Sequence, residues 1–215
     1  DDDSSIVHSL SIAAHLTWLS QSFVKPIIDN NGIEVAKTIL NRNTHTPAVK
    51  SASQLIGHIL RYDPIPLSVD TTKSIIPLLM KHINDVDGYK ECIVYALGNC
   101  IYKVPATIDI LEKNFGSLIK LLKSENSKIV ENGSYILSNI IRGNKKYLDV
   151  LIEKGALFNL LEVIKNVDLA DRVIISLHAF CRHESGKQYL IQNDAVNIIK
   201  GYLERTSNKK GKLQI

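Results

Sequence analysis

Long hydrophobic runs are missing from this chain. No apolar stretch in its 215 residues approaches the ~18 that a membrane-spanning helix needs. The opening, Asp1-Asp2-Asp3-Ser4-Ser5, is acidic and has no hydrophobic region behind it, so it does not read as a secretion signal. No methionine opens the chain, which reads as either trimmed or a piece of something longer. Cysteine is scarce and odd in number: Cys92, Cys100 and Cys181 all fall in apolar helical patterns. Cys92 and Cys100 lie eight apart on one expected helix, about 12 Å along its axis, too far to bridge. Free thiols of this kind point to a reducing compartment, cytoplasmic or nuclear.

An excess of one charge is also missing. Twenty-six Lys and Arg against 22 Asp and Glu leave +4, interspersed along the chain, without the imbalance of a nucleic-acid binder. The basic cluster Lys209-Lys210-Gly211-Lys212 reads as part of a solvated polar tail. No phosphate-binding glycine loop, zinc-protease helix, nucleophile elbow or Cys-x-x-Cys pair occurs. His178, Cys181 and His183 sit close together, but their spacings do not complete a metal-ligand set. The expectation is no catalytic residue, no metal, no cofactor and no enzyme. Asn132-Gly133-Ser134 matches a glycosylation sequon by chance, inside an expected helix. Strand signals are absent as well, because no period-two run is bounded by hairpin turn chemistry.

What the chain does have is repetition. Tyr95-Ala96-Leu97-Gly98-Asn99-Cys100 recurs forty residues on as Tyr135-Ile136-Leu137-Ser138-Asn139-Ile140. The same register reaches Gln54-Leu55-Ile56-Gly57-His58-Ile59 on one side and Ser176-Leu177-His178-Ala179-Phe180-Cys181 on the other. A period of about 40 residues predicts stacked helical repeats. The expected domain is single, 1–215: cap helices over 1–30, repeats over 31–61, 71–103, 106–142 and 144–183, a C-terminal cap over 186–205, and a polar tail over 206–215.

Within each repeat the pattern predicts a short first helix, a second helix and a longer third helix. Second helices are expected over Gly32 to Asn41, Ser74 to Ile83, Phe115 to Lys123, Gly155 to Lys165 and Asp194 to Glu204. Gly32, Gly116 and Gly155 mark the sharp turns before three of them, and Pro77 suits a first turn. Third helices are expected over 47–61, 88–103, 127–142 and 169–183, with Thr46, Asp87, Ser127 and Asp168 as N-caps. Pro64, Pro66 and Pro105 follow two of these helices and stop them. The apolar helix from Ile6 to Phe23 reads as an end cap that packs Trp18.

A three-helix unit of about 41 residues with an Asn late in the third helix resembles an armadillo repeat. The likeness covers about residues 30 to 205. It is strongest where Val94-Tyr95-Ala96-Leu97-Gly98-Asn99 and Ser134-Tyr135-Ile136-Leu137-Ser138-Asn139 are similar to the third helix of importin-α. The resemblance implies an all-α, right-handed α-α superhelix of about four repeats plus end caps, with a concave groove lined by third helices. It also implies that Asn99 and Asn139 hold the backbone of an extended peptide, with Tyr95 and Tyr135 in the place of a lysine-packing Trp. The outer repeats depart, with Gln54 and His58 in one and Ser176 and Phe180 in the other.

Helical spacing adds further columns to this face. Arg61, Tyr102, Arg142 and His183 follow the Asn-type position by three, and Lys50, Glu91, Glu131 and Arg172 precede it by eight. The expected partner-binding residues are Tyr95, Asn99, Tyr102, Tyr135, Asn139, Arg142, His58 and Arg61. The expected ligand is a protein or peptide segment, acidic or of mixed charge, rather than nucleic acid. Each Asn can equally bond a neighbouring repeat's backbone and hold the stack together. The expected function is a non-catalytic adaptor or scaffold. The alternatives are an armadillo-type nucleotide-exchange cofactor of the Hsp70 chaperone, or one region of a larger cytoskeletal or signalling scaffold that docks or dimerises.

Overall fold

The structure is a computed structural model and describes residues 2–42, 47–84, 87–166 and 171–212. Among these residues every regular element is helical. The chain divides into two compact units, residues 1–112 and 113–215.

The first unit holds α1 (Asp2–Leu19), α2 (Val24–Asp29), α3 (Gly32–Asn41), α4 (Pro47–Leu60), α5 (Val69–Lys81), α6 (Asp87–Lys103) and α7 (Ile108–Leu111). Short 3-10 turns at Gln21–Phe23 and Pro105–Thr107 lead into α2 and α7. The third helices α4 and α6 pack side by side, and α1 packs on the other flank of α4 as a third layer of the same kind. The second helices α3 and α5 pack on each other and on their own third helices. Apolar residues at helical spacing drive this. Ile33, Ala36, Ile39 and Leu40 of α3 are buried, as are Leu55, Ile56, Ile59 and Leu60 of α4.

The second unit holds α8 (Phe115–Lys120), α9 (Ser127–Gly143), α10 (Leu148–Glu153), α11 (Ala156–Asn166), α12 (Asp171–Cys181), α13 (Glu184–Gln192) and α14 (Ala195–Lys212). Here α12 packs on α9, α13 on α10 and α14 on α11, so each helix lies on its counterpart one repeat earlier. Phe115 and Tyr147 meet edge to face in the core, with ring centroids 5.1 Å apart.

Third-helix boundaries follow the sequence pattern closely, whereas several details differ. The helix expected from Ser74 begins at Val69, where the Ser68 hydroxyl accepts from the Thr71 amide. Pro77 therefore lies inside α5 rather than in its first turn. It is tolerated because it sits on the exposed side, where a carbonyl that lacks a helical donor can be hydrated. Thr72, Ile75, Ile76 and Leu79 are all buried on one face, and their burial outweighs the proline. The cap of α9 is Asn126, not Ser127, its side-chain oxygen accepting from the amides of Lys128 and Ile129. Asp87 is the first helical residue of α6 rather than a flanking cap. The caps expected at Thr46 and Asp168 lie outside the described residues.

Turns before second helices use left-handed backbone at Asn31 (φ 63°), Gly155 (φ 85°) and Asp194 (φ 56°). Gly155 serves as expected. Asn31 takes the role assigned to Gly32, and Gly116 falls inside α8. The segment marked as a polar tail is mostly helix, because α14 continues to Lys212.

Candidate functional site

Polar side chains join successive repeats at a spacing of 40 to 45 residues. In the first unit the Asn99 amide donates to the Gly57 carbonyl at 2.8 Å. His58 Nδ1 donates to the Ala14 carbonyl at 2.7 Å, and the Tyr62 hydroxyl to the Thr17 carbonyl at 2.6 Å. His82 Nε2 reaches the Leu40 carbonyl at 2.8 Å. In the second unit Ser176 Oγ donates to the Ser134 carbonyl at 2.7 Å and Arg205 to the Ile164 carbonyl at 2.7 Å. Each bond satisfies a helical carbonyl with a side chain from the next repeat and so fixes the register between layers.

The Asn-type position is buried, not open to solvent. Asn99 is 9% exposed, Asn139 3% and Phe180 0%. Gly57 permits the close approach of α4 and α6, since a Cβ there would stand 2.7 Å from the Tyr95 ring. Tyr95 and Tyr135 are half-buried, whereas Arg61, Tyr102 and Arg142, three residues after the Asn-type position, are exposed.

In the first unit the structure brings His58, Tyr95 and Arg61 together. The Trp18 and His58 rings lie 5.0 Å apart, and His58 meets Tyr95 edge-on at 6.1 Å. The Arg61 guanidinium stacks 4.2 Å above Trp18 and 5.2 Å from the Tyr62 ring. Trp18 differs from its expected place in a packed cap, being 52% exposed. The reason is register: α1 stacks on α4 as a further third helix, and Trp18 stands one layer before Arg61. Tyr102 is also 52% exposed and stands one layer after it, with the Lys103 ammonium 5.5 Å from its ring. Lys103 itself pairs with Asp63.

Burial holds the His58 imidazole below its ordinary value of 6.5; the Ala14 carbonyl opposes the shift, and Arg61 and His15 reinforce it. The unfolded chain then binds the proton more readily, so stability contributed above pH 6.5 is lost as pH falls toward the folded-state value. His58→Gln keeps a donor for Ala14 and removes the titration. Urea unfolding between about pH 7 and 5 should show a shallower loss of stability in His58→Gln than in wild type. Identical slopes would contradict this assignment.

In the second unit the Arg172 guanidinium lies 5.1 Å from the Tyr135 ring and donates to Asn132 Oδ1 at 2.7 Å. The sequon Asn132 is thus buried and engaged. Arg142 lines a cleft of about 510 Å³ with Lys145, Arg182 and His183, and of these four only Arg142 is among the expected partner-binding residues. Lys145 and Arg182 lie just past helix ends, beyond the reach of a helix-face pattern.

Of the three thiols only Cys100 is fully buried, and burial pushes it up to about 12; Cys92 and Cys181 are half-buried. No group of three or more His, Cys, Asp or Glu among the described residues could hold a metal ion. No helix among them is long and apolar enough to cross a membrane.

Layered three-helix units in a period of about 41 residues define an armadillo-type repeat fold. A designed armadillo repeat protein, YIII(Dq)4CqI, is similar over 91% of this chain and 84% of its own, with 18% identity and a TM-score of 0.74. Another, YIII(Dq.V1)4CPAF in complex with the peptide (KR)4, covers 92% and 84% at 19% identity and TM-score 0.72. Computationally designed armadillo repeat proteins for modular peptide recognition cover 90% and 84% at 18% identity and TM-score 0.70. No protein-family model matches the sequence, and no curated protein matches it.

Proposed function

We propose that this chain is a non-catalytic protein-interaction scaffold that holds an extended segment of a partner polypeptide along its third helices. The observation that carries the reading is the solvent-facing Trp18, with Arg61 stacked on it and Tyr102 one layer further on. Large aromatics and Arg left half in water are the residues that dominate protein interfaces. Trp18, Arg61 and Tyr102 supply contact area in the first unit, over a floor made by His58 and Tyr95. Tyr135 and Arg142 supply it in the second. Asn99 acts from below, by holding α6 to the Gly57 carbonyl of α4 rather than by touching the ligand, and Asn139 is buried as well. The solved neighbours that carry or were designed for peptides support this use of the fold.

A display selection of random peptides on the wild-type chain alone, with the selected peptides then titrated against Trp18→Ala/Arg61→Ala/Tyr102→Ala, tests the proposal. Selected peptides should bind wild type and lose about tenfold or more in affinity for the variant. Equal binding to both proteins would place the interaction surface elsewhere.

A second reading, docking onto another folded domain, is favoured by Ile191, Val196 and Leu203 on the last layer, which are 74%, 73% and 55% exposed.

A further inference from the structure

The second unit carries a cleft whose side chains are cationic without an internal counter-charge. It lies between the C-terminal ends of α9 and α12, with the buried side chains of Ile141 and Ala179 beneath it. Arg142, Lys145, Arg182 and His183 line it, and no acidic side chain lines it with them. None of these four is held in an ion pair among the described residues. The nearest acid in sequence, Glu184, turns instead to Lys187 at 3.5 Å. The corresponding place in the first unit is different: Asp63, two residues after Arg61, takes Lys103, one residue after Tyr102. Asn144 and Glu184 stand at those registers in the second unit, and Asn144 uses its side chain to cap the Lys146 amide at 3.2 Å. The added cations of the second unit are Lys145 and Arg182, which stand where the first unit has Pro64 and Ile101, and Glu184 is drawn off toward Lys187.

We infer that the cleft is a binding site for adjacent carboxylate side chains of the partner segment, an acidic run of Asp or Glu. Two guanidinium forks, one from the last turn of α9 and one just past the end of α12, suit planar, bidentate acceptors, and Lys145 adds a movable ammonium. A single phosphate or sulfate would occupy a small part of about 510 Å³, whereas two acidic side chains at alternate positions of an extended chain, which point the same way, both have room in it. Arg142 lies one turn beyond Asn139 on α9, so the cleft continues the proposed peptide-binding edge. The inference rests on that reading and adds the charge of the ligand and the place where it is read.

The test is fluorescence anisotropy with three labelled probes: a hexaglutamate peptide, a neutral Gly-Ser peptide of equal length and the basic peptide (Lys-Arg)4. Each is titrated with the wild-type chain, with Arg142→Glu/Arg182→Glu and with Arg142→Lys/Arg182→Lys. The substituted side chains are exposed, so melting curves should stay close to wild type. Hexaglutamate should bind wild type and weaken with added salt, and it should lose at least about tenfold in affinity for the Glu variant but less for the Lys variant. Equal hexaglutamate affinity for wild type and the Glu variant would overturn the site. Displacement of the peptide by inorganic phosphate at comparable concentration would assign a lone oxyanion pocket instead, and overturn the carboxylate-run ligand. Binding of only the neutral or basic peptide would overturn the acidic cleft while leaving the peptide-scaffold reading intact. Failure of all three to bind would count against both.

Discussion

Phe180→Ala should lower the unfolding free energy by about 3–5 kcal/mol, seen as a fall in melting temperature of roughly 6–20 °C. The side chain is fully buried on α12, a helix that packs on α9, α11 and α13. Removing it leaves a cavity whose walls are helices pinned from both sides. The neighbouring backbone cannot collapse inward easily, because the Phe180 carbonyl already lies against Gly186, where even an added Cβ would stand 2.2 Å away. Phe180→Leu, which keeps most of the apolar volume, should cost much less. A loss below about 1 kcal/mol for Phe180→Ala would mean that the last third helix is not packed as described.

Asn99→Asp is the second large effect, and it depends on pH. Asn99 donates to the Gly57 carbonyl from a position 9% exposed, so Asn99→Ala should cost about 1–3 kcal/mol through an unpaired buried carbonyl. Aspartate is worse at neutral pH, because it replaces the donor with a buried negative charge facing a carbonyl oxygen. A cost of about 3–5 kcal/mol is expected there. Burial raises the folded-state pKa of such a carboxyl above the unfolded value of about 3.9, so the folded state binds more protons. Stability therefore falls as pH rises from the unfolded pKa through the folded one. In acid the protonated carboxyl can again donate to Gly57, and the variant should approach wild type. Chemical denaturation across pH checks this, and a pH-independent difference between Asn99→Asp and wild type would remove the bond from the account.

These two positions also show how far the sequence could be read. The third helices were legible because a strong apolar period, a constant 40 to 41-residue register and stops such as Pro105 all agree. Pro77 was misplaced because local chemistry argued for a first turn, whereas burial of Ile75, Ile76 and Leu79 carries α5 through it. The column His58, Asn99, Asn139 and Phe180 was legible as a column, but its direction was not. Whether a helical residue points at a ligand or at the next repeat depends on the packing of helices about 40 residues apart. Phe180 was the available clue, since a large apolar residue in that column suits an interior better than a wet surface. Trp18 was hidden for a related reason: α1 lacks the repeat's motif yet stacks as one of its layers. That Lys145 and Arg182 share a cleft with Arg142 was not legible, because they follow helix ends, where facial periodicity no longer applies.

Trp18 also supplies the most direct measurement, being the one tryptophan in the chain and standing on the first layer of the proposed contact surface, with Arg61 stacked on it. Its emission should be followed while a display-selected peptide is added to the wild-type chain and, in parallel, to Arg61→Ala/Tyr102→Ala. A saturable shift of the emission to shorter wavelength, weakened about tenfold or more in the variant, is the expected result, because the bound segment would cover a ring now half in water. Peptide binding established by calorimetry with no change in Trp18 emission would contradict a partner-binding surface on these helices.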